Sequence, residues 1–110
     1  MLFAFTKYYK PKKIIEIGSG VSTHVMLGAG AKNISCIEPF PSNFLKKNKK
    51  IRLISNELQD VDLSIFKSLK KGDLLFIDST HTLKIDSDVT KIYLEILPLL
   101  NPGCLVHIHD

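Results

Sequence analysis

Two glycines one residue apart, Gly18 and Gly20, close an apolar run of β-branched isoleucines, and the small hydroxyl residues Ser22 and Thr23 follow them. A strand, a tight turn and a helix start in that order present exposed backbone N–H groups to a nucleotide-like ligand. Glycine suits the turn because any Cβ would obstruct both the sharp bend and the approach of backbone to ligand. Glu38 then ends a second, largely apolar run ahead of Pro39, at about the spacing expected of an acid that grips a ribose. A carboxylate there can accept two hydrogen bonds from a diol, in a low-dielectric rim where such bonds are strong. Thr23 stands where the dinucleotide fingerprint has its third glycine, which argues against NAD and FAD.

Further acids end later apolar runs. Asp78 closes Leu74-Leu75-Phe76-Ile77, and Ser79-Thr80-His81 follow. A carboxylate with an imidazole three residues on could orient a substrate, hold a metal or act as a base. Equally, Asp78 could cap the next loop by accepting backbone N–H bonds. His107, His109 and Asp110 cluster at the end of the chain. Alternation along a strand puts both histidines on one face and Asp110 just past its tip. If the strands ending in Asp78 and Asp110 are neighbours, the two acids could share one divalent ion. His107 reads better as a hydrogen-bonded structural group, and His109 is open.

These residues must be positioned by the elements around them, and the elements alternate strictly. Strands are expected at 13–17, 34–38, 51–55, 73–78 and 104–109. Helices are expected at about 22–27, from Pro41-Ser42 with Ser42 as N-cap, at 62–69, and at about 86–97 with Pro98 near its end. The continuously apolar Leu74–Ile77 core suits a strand buried on both faces. Successive βα units imply a parallel sheet with right-handed crossovers, hence a doubly wound α/β layer fold. Ligands of such sheets bind beyond the carboxyl ends of the strands. Gly18, Gly20, Glu38, Asp78 and Asp110 all fall there.

The 110 residues make one domain with enough apolar content for a single core, and the formal charge of +4 is modest. Lys46, Lys47, Lys49 and Lys50 form the densest basic group. No aromatics interleave with them for base stacking, so a solvated helix end is expected there and no nucleic-acid partner. Cys36 and Cys104 lie within apolar runs and are expected as two buried free thiols rather than a disulfide or metal site. The apolar start Met1–Phe5 is too short to span a bilayer and lacks a signal-peptide cleavage pattern, so a cytoplasmic protein without membrane contact is expected.

As a set, these residues resemble the class I S-adenosylmethionine-dependent methyltransferases, and more closely their bacterial methyltransferase-24-like branch. The carrying motifs are Ile15-Glu16-Ile17-Gly18-Ser19-Gly20-Val21-Ser22-Thr23, Cys36-Ile37-Glu38-Pro39, Leu58-Gln59-Asp60, 73–81 and 97–110. The resemblance implies a Rossmann-like sheet of strand order 3-2-1-4-5. It implies that Glu16, Gly18, Ser19 and Gly20 line the methionine and ribose portion of S-adenosylmethionine and that Glu38 binds the ribose hydroxyls. Gln59 and Asp60 would border the adenine, and Asp78 would lie by the cofactor's amino group or the reacting centre. In catechol-type relatives, acids at the ends of strands 4 and 5 hold Mg²⁺, and Asp78 and Asp110 match those places.

The family's sheet has two further strands after the fifth, so the chain reads as the cofactor half of a truncated domain. Its fifth strand would be an exposed edge open to self-association. The expected activity is methyl transfer to a small molecule or sugar, to oxygen rather than nitrogen, assisted by His81, His109 or an ion at Asp78 and Asp110. A non-catalytic cofactor-binding remnant, or a fragment completed by a partner chain, is the alternative. A nicotinamide-dependent oxidoreductase ranks third.

Overall fold

A computed structural model describes residues 2–18, 21–78 and 90–109, with backbone alone at Val21, Tyr93 and His109. Within it five short strands form one wholly parallel sheet: β1 (Ile14–Ile17), β2 (Ile34–Ile37), β3 (Ile51–Ile54), β4 (Leu74–Asp78) and β5 (Leu105–His109). Their order is β3-β2-β1-β4-β5, as the resemblance implied. The helices are α1 (Leu2–Tyr9), α2 (Val21–Gly28), α3 (Asn43–Lys47) and α4 (Ser64–Lys67). A 3₁₀ turn spans Leu58–Asp60, and a π-type turn at Ile92–Ile96 tightens into a 3₁₀ turn at Leu97–Leu99.

β1, β2 and β4 are buried at every position, the signature of strands covered on both faces. Alternation divides the core in two. Ile15, Ile17, Ile37, Leu75 and Ile77 pack beneath Leu58, Phe66, Leu69, Ile92 and Ile96. On the opposite face Ile14, Ile34, Cys36, Leu74 and Phe76 meet Met26 of α2 and Leu45 of α3, with Leu2 and Phe5 of α1 at the margin. Asp73, 7% exposed, ties the start of β4 in place. Its carboxylate accepts the backbone N–H of Lys13 at 3.2 Å and that of Lys70 at 2.8 Å.

The strands fall where expected, and the helices differ in three places. α1 was not anticipated; its residues form a helix because Leu2 and Phe5 lie one turn apart and reach the core, while Thr6 returns its hydroxyl to the Leu2 carbonyl at 2.9 Å. The helix expected over 62–69 shortens to α4, because the Asp62 carboxylate accepts the Ser64 N–H at 2.9 Å and starts the helix there. Ser42 caps α3 as expected, accepting the Leu45 N–H at 3.4 Å. The first residues of the helix expected over 86–97 lie outside the described residues, and from Ile92 to Ile96 its described part is a π-type turn instead of an α-helix. β3 and β5 are the edges of the described sheet, and Val106 and Ile108 on β5 are 40% and 41% exposed. No helix of the described residues is long and apolar enough to cross a membrane.

Candidate functional site

Parallel register and a period of two gather the acids. Glu16 pairs with Cys36 on one side and Phe76 on the other, so its side chain points to the face carrying α1, α2 and α3. Two residues beyond Cys36 stands Glu38, and two beyond Phe76 stands Asp78, each directed to that same face. All three carboxylates are withdrawn from solvent, at 0%, 3% and 6% exposure for Glu16, Glu38 and Asp78. They occupy the carboxyl side of three adjacent strands, β2, β1 and β4, beside the start of α2.

Glu16 lies deepest and is clasped by the helix that follows it. Ser22 and Thr23, in the first turn of α2, both donate hydroxyl hydrogen bonds to its carboxylate, one to each oxygen. The Cys36 thiol donates to the oxygen that Thr23 holds, at 3.5 Å. Thr23 is 0% exposed. A third glycine in its place would bring helix and strand closer, but here the threonine hydroxyl fills the gap and bonds the strand. Burial raises the Glu16 carboxyl from its ordinary 4.5 to about 7, against the opposing pull of the Ser22, Thr23 and Cys36 hydrogen bonds, and the charge of Asp78 adds to the rise. Burial likewise pushes the Cys36 thiol far up, with the Glu16 and Glu38 charges adding to it. Cys36 is thus an inert thiol at neutral pH. Sequence reasoning missed this network: Ser22 and Thr23 are only 6 and 7 residues from Glu16 but reach back to it across the turn, and Cys36, 20 residues on, meets it only once strand register is known.

Gly18 leaves β1 with φ of 77°, the left-handed region that favours glycine, while its N–H still bonds the Ile37 carbonyl at 3.0 Å. Ser19 and Gly20 lie outside the described residues. The Glu38 N–H extends the ladder to the Ile54 carbonyl at 3.0 Å, and its Oε1 accepts the Phe40 N–H at 3.0 Å. Phe40 itself is 80% exposed, an aromatic face beside the acid that sequence reasoning also passed over, although Pro39-Phe40-Pro41 sets it on a stiff loop.

The remaining candidates are more scattered. Leu58 anchors its 3₁₀ turn in the core and leaves Gln59 and Asp60 exposed past the edge strand β3. Lys91 holds the turn by donating to the Gln59 carbonyl at 3.0 Å. β4 and β5 are neighbours, and Asp78 is in register with His109, whose side chain is not described. His81 and Asp110 lie outside the described residues. His107 packs its ring against Phe76 and Phe5, at centroid distances of 5.0 and 5.5 Å; the hydrogen bond expected of it is not shown at its buried Nδ1. Among the described residues no group of three or more His, Cys, Asp and Glu could hold a metal ion. Both cysteines are free, but Cys104 is only half-buried, because it enters an edge strand rather than a central one.

Glu38 and Asp78 with a left-handed glycine at adjacent strand tips suit a cationic ligand that also bears hydroxyl groups. S-Adenosylmethionine, with its sulfonium, ammonium and ribose diol, has that chemistry.

Comparison with known proteins points the same way. A family model described as a methyltransferase domain matches residues 15–110. A protein of Archaeoglobus fulgidus described as uncharacterized is 38% identical over 80 residues, a match taking in 64% of this chain and 36% of that protein. The chain therefore spans little more than a third of that relative's length. No solved structure matches significantly. With the strand order in place, the chain belongs to this methyltransferase domain family.

Proposed function

We propose that the chain binds S-adenosylmethionine at the carboxyl ends of β2, β1 and β4 and serves methyl transfer to a hydroxyl of a small molecule or sugar. The observation that carries this reading is Glu38, 3% exposed and fixed by the Phe40 N–H at the tip of β2, next to the left-handed turn at Gly18. When bound, the cofactor supplies an electrophilic methyl carbon on its sulfonium, so the protein's task is chiefly alignment and removal of water.

Each residue has a part in that task. Glu38 would accept the ribose hydroxyls, and the exposed Phe40 ring would offer a face to the adenine, with Gln59 and Asp60 at its border. Gly18 with Ser19 and Gly20 would bring backbone close to the methionine portion. Glu16 would act from beneath, holding the first turn of α2 against β1 through Ser22 and Thr23. Asp78, next to β5, would stand toward the acceptor, where a carboxylate can take a hydroxyl proton; His81 and His109 are further candidates for that proton.

Calorimetric titration of S-adenosylmethionine into the chain tests the reading. Glu38→Ala should weaken binding by roughly 1.5–3 kcal/mol, the worth of a hydrogen bond to a charged group. Unchanged affinity would return Glu38 to a loop role. A second reading, a cofactor-binding piece completed by another chain or copy, is favoured by the exposed Val106 and Ile108 of β5. Binding without turnover in a labelled-methyl assay, with turnover restored by a partner chain, would select it.

A further inference from the structure

The amino ends of the strands carry a feature that the cofactor end does not use. Lys7, Lys10, Lys12 and Lys32 come from three separate segments, yet they line one cleft of about 440 Å³ whose remaining wall is Thr6, Pro11 and 29–31. An adjoining hollow of about 470 Å³ shares Gly30, Ala31 and Lys32 and adds Lys49 and Lys50. All six lysines are exposed, and among the described residues no carboxylate lines either hollow. Each volume falls in the roughly 300–1,000 Å³ range of small-molecule sites.

Lysines at helix ends often serve only to offset the helix dipole, and α1 and α2 both end here. That role does not account for these. The two helix ends together carry about one negative charge, against six lysines. The helix carbonyls are also satisfied by backbone. Lys10, in the left-handed region at φ 48°, donates its N–H to the Thr6 carbonyl at 2.9 Å. Gly30 and Ala31 close α2 by donating to the Leu27 and Met26 carbonyls, each at 3.1 Å. The four lysines are left to line the cleft. Small residues at 29–31 keep its floor low, and the Lys7 ammonium lies 5.5 Å from the centroid of the neighbouring Phe3 ring.

We infer that this basic cleft is a second binding site, for a small anion bearing two or three linked phosphate groups. Four-residue strands separate it from the candidate cofactor site by about 13 Å. Side-chain ammonium groups from α1, the α1–β1 connection and the α2–β2 connection would each meet a phosphate oxygen. Backbone amides would contribute little, since those of Ala29, Gly30 and Ala31 are spent within the end of α2.

Inorganic tripolyphosphate is the probe, titrated by calorimetry at low salt into the full chain. Saturable binding is expected, unchanged by saturating S-adenosylmethionine. Lys10→Asn with Lys32→Gln should weaken it at least tenfold; asparagine tolerates the left-handed backbone at position 10, and a retained melting temperature confirms folding. Lys46→Gln with Lys47→Gln removes the same charge from α3, where neither residue lines either hollow, and should change affinity less than twofold. The proposal is overturned by non-saturable binding, by equal losses in the two double variants, or by competition with S-adenosylmethionine. It is also overturned if single-stranded RNA binds more tightly than tripolyphosphate and depends equally on both lysine pairs, which would make the surface a nucleic-acid face. The cleft does not depend on the cofactor reading, so failure of either leaves the other standing.

Discussion

Replacing Glu16 by glutamine should make the protein's stability much less dependent on pH. The Glu16 carboxyl titrates at about 7 in the fold and at 4.5 when exposed. Between those values the folded protein binds more protons than the unfolded chain, so this group's contribution to stability falls as pH rises. It is fully present below about pH 4.5 and lost once pH has passed about 7. At about 1.4 kcal/mol for each tenfold, the full loss comes to about 3 kcal/mol, with most of it falling between pH 5 and pH 8. That is a large share of the roughly 5–15 kcal/mol by which a domain is stable. Glutamine keeps an acceptor for Ser22 and Thr23 but carries no charge to bury. Urea unfolding at pH 5, 6, 7 and 8 reads the effect. The wild-type protein should lose about 2 to 3 kcal/mol more than the variant across that range. Parallel pH profiles would refute the buried-carboxylate account, and a wild-type profile that rises with pH relative to the variant would reverse its sign.

Other perturbations probe the remaining parts. Thr23→Val, which removes one hydroxyl from Glu16 while keeping shape, should move the wild-type pH transition upward; an unmoved transition would show that Thr23 does not hold the carboxylate. Gly18→Ala should cost about 1 kcal/mol through its left-handed backbone and weaken S-adenosylmethionine as well, read by melting and calorimetry; no change in either would sink the turn assignment. Asp73→Ala should cost about 2 kcal/mol by leaving the Lys13 and Lys70 N–H groups without their acceptor, and a melting curve within error of wild type would contradict that role. Ser42→Ala should cost roughly 0.5–1 kcal/mol through lost capping of α3, again read by melting.

The strands were legible because a strand buried on both faces must be apolar throughout, as in Leu74–Ile77, and because an acid ending such a run stands out against it. Glu38 and Asp78 were therefore visible from residue types alone, and family resemblance supplied the strand order. α1 was hidden because Leu2, Phe3, Ala4 and Phe5 are nearly uniform in hydropathy and show no helical period. The clasp on Glu16 was hidden for a different reason: Ser22 and Thr23 read as the start of a helix, not as partners of the preceding strand, and the Cys36 contact depends on register between β1 and β2, which no local pattern encodes. The basic cleft is the extreme case. Its lysines are spread from position 7 to position 50, and only the parallel sheet brings them to one edge.

Because β1 lies at the centre of the sheet, the chain has an order in which it can assemble. Ile14 pairs with Ile34, twenty positions on, and with Leu74, sixty positions on. Closing the longer loop costs about 1 kcal/mol more in chain entropy, from the logarithm of the threefold ratio. By that measure the β1–β2 and β2–β3 pairs, closed over twenty and seventeen positions, are expected to form before β4 docks on β1 across sixty. On a ribosome the same order holds as the chain emerges. Conservative truncations such as Ile34→Val should accordingly slow folding, whereas Val106→Ala on β5 should chiefly speed unfolding; the opposite pattern would place the nucleus at β4 and β5.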